Sequence, residues 1–208
     1  RNGAVLTMSR SVLNKQGDSS SMDDSNFSGK NAVFLSNNST AALNDLTITS
    51  DAEGANAIFS TGKSSKITVK NTKIHTMKSS SRGLDATYGG TIIADTIEIN
   101  TEGAHCAALA TDRGEGNVTV TNGIFATAGD GSPCIYSTGN IQAAASKGIA
   151  TNSEVAVVEG KNSIRLETCD LTGNAKHGVM LYQSFSGDAG TGTAHFSAKD
   201  STLTNLST

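Results

Sequence analysis

Tryptophan is absent, proline occurs once, and aromatic residues make up only 4% of the chain. Apolar residues reach 36%, below the usual globular share of roughly 45–50%. Such a chain has little material for a thick core, although it can fill a narrow one that runs lengthwise. The 16 basic and 19 acidic residues leave a formal charge of −3, and no run of Lys or Arg exceeds two residues. That excludes the basic footprint of a nucleic-acid binder. Apolar runs are a few residues long, too short for a membrane-spanning helix. Cys106, Cys134 and Cys169 are odd in number and lack any CxxC or Cys/His spacing, which argues against a zinc site. They read as small buried apolar residues, with a Cys106–Cys134 disulfide as the one pairing the repeat below would allow. The chain begins at Arg1 with no charged-then-apolar leader.

What the chain does have is 22 glycines, many Ser, Thr, Asn and Ala residues, and one phrase that keeps returning. A strand reads "AVFLS" (32–36), "AIFST" (57–61), "GLDAT" (83–87), "AALAT" (107–111), "CIYST" (134–138), "AVVEG" (156–160) and "GVMLY" (178–182). Its second residues, from Val33 to Val179, recur at intervals of 25, 26, 24, 27, 22 and 22 positions. A second strand type follows, in "KITVKN" (66–71), "NVTVTN" (117–122) and "SIRLET" (163–168), alternating apolar and polar residues and favouring β-branched side chains. A third begins after a polar turn residue with an apolar residue three positions on: Ser9/Val12, Asp45/Ile48, Asn71/Ile74, Thr96/Ile99, Asn122/Phe125, Thr168/Leu171 and Asp200/Leu203. Three short strands per repeat with no helical periodicity predict an all-β fold, a single parallel β-helix of about seven coils of roughly 25 residues. The general preference for right-handed crossovers makes it a right-handed one. Residues 1–208 form one continuous solenoid in this reading. Neither end carries a capping helix, so further coils or domains are expected beyond Arg1 and Thr208.

The phrases "SSSRGLDATYGGTI", "GAHCAALATDRGEGNVTVT", "GDGSPCIYSTGNI" and "VVEGKNSI…CDLTG…GVMLYQS" resemble the adhesin-like, right-handed β-helix proteins of anaerobic bacteria. These chains belong broadly to the pectate-lyase-like superfamily and include carbohydrate-binding members. The resemblance covers about residues 30 to 204 and implies a secreted or cell-surface protein. It is informative for fold and much less so for activity, since the superfamily mixes lyases, hydrolases, esterases and binders.

Two surfaces are candidates. In the first strand, the column Val33, Ile58, Leu84, Ala108, Ile135, Val157 and Val179 never turns polar and is expected inside. The neighbouring column Phe34, Phe59, Asp85, Leu109, Tyr136, Val158 and Met180 then faces outward as an aromatic and aliphatic stripe. Flat rings there suit the C–H face of a sugar. The turns after that strand gather Asp85, Tyr88, Asp112, Arg113, Glu115, Glu159, Lys161 and Tyr182 along one edge. The expected function is non-catalytic binding of a polysaccharide or surface glycan, through Phe34, Phe59, Asp85, Tyr88, Leu109, Asp112, Arg113, Tyr136 and Tyr182. The runner-up is a lyase or hydrolase of uronate polymers, with Arg113 as base and Asp112 and Asp85 as supporting acids. A third reading is a structural stalk. No cofactor is expected beyond a weak calcium contact, because the Asp residues do not gather as a calcium cage requires.

Overall fold

A computed structural model describes residues 1–175 and 177–207. The chain winds as an all-β parallel solenoid, and every strand pairing is parallel. Short strands Phe34–Asn37, Ile58–Thr61, Leu84–Thr87, Leu109–Thr111, Ile135–Ser137, Ala156–Glu159 and Val179–Tyr182 stack as a seven-stranded sheet. Opposite them lies a sheet of longer strands: Val5–Gln16, Thr40–Asp51, Lys66–Thr76, Thr91–Thr101 and Asn117–Thr127. In the later coils each long strand divides in two, as in Asn140–Ala144 with Lys147–Ala150. The expected second and third strands are thus one bent strand in the first five coils.

The bend has a local cause. Asp45, Asn71, Thr96, Asn122 and Thr168 all adopt left-handed φ, between 47° and 56°. Asn and Asp tolerate this region because their short polar side chains bond locally. The turn changes the pleat so that residues three apart, such as Leu43 and Leu46, both face inward. The apolar residue three positions after each turn residue is buried at Ile48, Ile74, Ile99, Phe125 and Leu171. The first coil differs, because its left-handed residue is Arg10 rather than Ser9. That shift points Val12 outward, 65% exposed, and turns Leu13 onto the core. Ala145 (φ 48°) supplies a turn in the sixth coil that the polar pattern did not mark. A β-branched residue is strained in this conformation. Thr96→Asn is therefore expected to raise stability by about 1 kcal/mol, read as a higher midpoint in thermal denaturation.

Buried Ser and Thr explain how so polar a chain folds. Thr76, Thr101 and Thr127 each donate across their own corner, to the carbonyls of Ser81, Cys106 and Ser132 at 2.5–2.6 Å. At the same corner a file of side chains receives backbone N–H groups from the preceding coil. Ala55 donates to Ser81 Oγ, Ser81 to Cys106 Sγ and Cys106 to Ser132 Oγ, at 3.0, 3.1 and 2.9 Å. These corner groups are thus partnered either within their own corner or one coil away, so their desolvation is offset.

That file also corrects the disulfide expectation. The register pairs Leu109 with Ile135, so Cys106 aligns with Ser132, and Cys134 lies two residues further on, in the hydrophobic core. All three cysteines are free and buried.

The inward file of the short sheet is Phe34, Ile58, Leu84, Leu109, Ile135, Ala156 and Val179. Ile58, Leu84, Ile135 and Val179 match the expected column. Val33 and Ala108 precede their strands yet still pack on the core, Val157 falls on the outer file, and Phe34 and Leu109 point in rather than out. A one-residue slip moves a strand residue to the opposite face. Val158, 0% exposed, likewise faces the core and not solvent.

Candidate functional site

The outer face of the short sheet carries Leu35, Phe59, Asp85, Ala110, Tyr136, Val157 and Met180 in one register file. It is not the open stripe expected. The chain covers part of it with a segment inserted after the first long strand. Helix α1 (Met22–Ser28) starts at Ser21, whose side chain accepts from the Asp24 N–H, and ends at Gly29 in left-handed φ (64°). A Cβ at Gly29 would lie 2.5 Å from Phe59 Cδ1, so only glycine lets the backbone rest on that ring. Phe59 is therefore fully buried. The segment is pinned by Thr87 Oγ1 donating to the Phe27 carbonyl (2.9 Å) and by Asn56 Nδ2 donating to the Ser25 carbonyl (3.3 Å).

Beyond α1 the face opens into a cleft of about 420 Å³, within the ~300–1,000 Å³ of small-ligand sites. Asn26 and Phe27 wall one side, while Tyr182 and Asp188 wall another. Asp188 belongs to a second insertion, which follows the last short strand.

Arg82 organises the floor. Its Nη1 donates to Asn26 Oδ1 at 2.8 Å, its Nη2 lies 3.2 Å from Asp112 Oδ2, and Nη1 lies 3.8 Å from Asp85 Oδ2. Asp85 is fully buried, and neither of its oxygens has a hydrogen-bond partner. Burial pushes its carboxyl up to about 8; Arg82 opposes the rise and Asp112 adds to it. Burial raises Asp112 as well.

The sign of the pH dependence follows. The unfolded Asp85 loses its proton near 3.8, whereas the folded one keeps it to about 8. The native state binds more protons across that window, so stability is greatest below it and falls as pH rises through it. Thermal midpoints are expected to decline from about pH 4 to pH 8. Asp85→Asn is expected to flatten that slope, with Asp112 retaining its share.

Above the floor, Arg113 joins the two insertions. Its guanidinium carbon stands 3.7 Å from the centroid of the Phe27 ring, and its Nε and Nη2 donate to Asp188 Oδ1 at 2.8 and 2.6 Å. On the far side Glu159, buried, accepts from the hydroxyls of Tyr136, Tyr182 (3.1 Å) and Ser184. Burial and the Glu159 carboxylate raise the Tyr136 phenol far above its ordinary value. Burial is also the main cause of the rise at Tyr182.

Of the expected site residues, Asp112, Tyr136 and Tyr182 line this cleft, Arg113 braces its walls through Phe27 and Asp188, and Asp85 is sealed beneath it. Leu109 belongs to the core and Phe59 lies under Gly29, both fully buried, while Phe34 packs half-buried against the core away from the cleft. Tyr88 is left-handed (φ 49°) and 42% exposed, and it does not line the cleft. Lys161 and Glu115 pair with each other at 2.9 Å on the exposed edge. Sequence reasoning missed Arg82, Asn26, Phe27, His105 and Asp188. Arg82 had a signal, an acid three positions on and another one coil later. The insertions had one too: Phe34 follows Gln16 by 18 positions, where Ile58 follows Asp51 by seven.

Among the described residues no group of three or more His, Cys, Asp or Glu side chains is placed to hold a metal ion. No described helix is long and apolar enough to cross a membrane. No family model, curated protein or solved structure matches the chain.

Proposed function

We propose that the chain binds a saccharide in this lateral cleft without cleaving it, as part of a surface or secreted protein. The observation that carries the reading is the combination of planar polar side chains and rings around one walled space. Arg82 with Asp112, and Arg113 with Asp188, hold fixed donor and acceptor planes, while Phe27, Tyr136 and Tyr182 supply ring surface. Vicinal hydroxyls pair well with such planes, and the C–H face of a sugar packs on a ring. The adhesin-like resemblance agrees with this reading and adds the extracellular setting.

Cleavage draws support from one feature, the buried carboxyls of raised pKa, which is the kind of group that serves as a general acid. Asp85 is 0% exposed and cannot reach a ligand, and Asp112, 6% exposed, is held by Arg82, so binding is the better account. A glycan microarray tests it: the chain is expected to retain a defined subset of oligosaccharides, and Tyr182→Ala to weaken retention about tenfold. Retention unchanged by that substitution would place binding elsewhere.

A further inference from the structure

The charge and proton inventory of the cleft carries the saccharide reading one step further, to the class of sugar. Two cations, Arg82 and Arg113, stand among four acids, Asp85, Asp112, Glu159 and Asp188. Both cations are already neutralised, Arg82 between Asp85 and Asp112 and Arg113 against Asp188. Glu159 has no cation within ion-pair range among the described residues; its partners are the three hydroxyls of Tyr136, Tyr182 and Ser184. Even if Asp85 is counted as neutral, acids outnumber cations by three to two.

The protons tell the same story. Tyr136 and Tyr182 lie 3.2 Å apart at their hydroxyls, and both approach Glu159 Oε2. Whichever way the pair is arranged, each phenol proton is spent inside this cluster, leaving the phenol oxygens as acceptors towards the cleft. Asp188 takes both Arg113 donors on Oδ1, and its Oδ2 receives no hydrogen bond among the described residues. Asn26 Oδ1 is occupied by Arg82. Apart from Ser80 and His105, which also line the cleft and can donate, its polar side chains therefore offer mostly lone pairs and a negative surplus, beside the rings of Phe27, Tyr136 and Tyr182.

We infer that the cleft selects an amine-bearing sugar over an acidic one, with Asp188 Oδ2 and the two phenol oxygens receiving the donors of its ammonium and hydroxyl groups. An ammonium also gains from the ring faces around it. A sugar carboxylate would meet like charge with no free cation to pair with, in a setting where water screens weakly. This inference rests on the saccharide-binding reading and adds charge selection to it.

The test is calorimetric titration of the whole chain at low salt with three probes of equal length: glucosamine, N-acetylglucosamine and galacturonic acid oligomers. The glucosamine oligomer is expected to bind more tightly than either of the others, by about tenfold over the acidic one, with an advantage that shrinks as salt is added. Asp188→Asn is expected to erase most of the preference for the free amine over its acetylated form. Should that change loosen the second insertion, Glu159→Gln removes one charge from the same cleft and serves in its place. Equal binding of the amine and its acetylated form, or tighter binding of the acid, overturns the charge selection while leaving saccharide binding intact. Silence with all three probes and with a broad glycan panel removes the saccharide reading itself, and the inference with it.

Discussion

Arg82→Met is expected to destabilise the protein by about 3–5 kcal/mol, with the loss growing as pH rises. The methionine fills much of the arginine's volume, so packing is largely kept and the change is electrostatic. Asp85 and Asp112 lose the guanidinium that neutralises both, and Asp85 has no hydrogen bond to fall back on. A buried carboxylate without a partner is far costlier than the pair it came from. The variant can lower that cost only by holding protons, so its deficit is smallest in acid and largest above the raised pKa of Asp85. Urea denaturation of both proteins at several pH values measures the difference. A deficit independent of pH would mean that Arg82 matters through its packing and not its charge. Because Arg82 also fixes Asn26 at 2.8 Å, the same change releases one wall of the cleft, and saccharide retention is expected to fall with it.

Phe125→Ala is expected to cost about 3–5 kcal/mol, near the upper end of that range, because the site cannot collapse. The ring is 1% exposed and is the bulkiest member of its file, where the other coils place Ile48, Ile74, Ile99 and Leu171. Room for it comes from two glycines. A Cβ at Gly148, its register partner in the next coil, would lie 3.1 Å from Phe125 Cβ, and one at Gly123 would run into the ring edge. Neither neighbour has a side chain that can swing into the vacated space. The converse substitution, Gly123→Ala, overpacks the same spot and is expected to cost about 1–3 kcal/mol. Combining it with Phe125→Leu should recover part of that loss, since the two changes share one volume. Denaturant midpoints of the three variants decide it; independent, additive costs would refute the shared-volume account.

These residues also show what the sequence makes legible. The periodic polar turn is readable because left-handed backbone favours Asn and Asp, which stand at 45, 71 and 122, and because the strained Thr96 and Thr168 keep the same position polar in register. Ala145 breaks the rule and escapes notice, its backbone held by the coils around it. The parity of the short strands is harder. "AVFLS" is apolar on both faces because α1 covers its outer side, so alternation cannot say which face is the core. Val33 and Phe34 look equally suitable and both pack on the core; only the paired coil, Phe34 against Ile58, shows which of them heads the strand's inward file. The cleft was half legible for a related reason. Asp112, Arg113, Tyr136 and Tyr182 belong to the repeat and align by counting. Asn26, Phe27 and Asp188 come from insertions that have no counterpart in other coils, so periodicity is silent on where they dock.

In most solenoids each coil touches only its two neighbours, and a terminal coil can fray without consulting the middle. Here Arg113 grips Phe27 from near the beginning of the chain and Asp188 from near its end. This bridge passes over several intervening coils, so peeling either end must first undo a contact made in the centre. Unfolding should therefore be more nearly all-or-none than a simple stack allows, with amide exchange at the two ends slowed together.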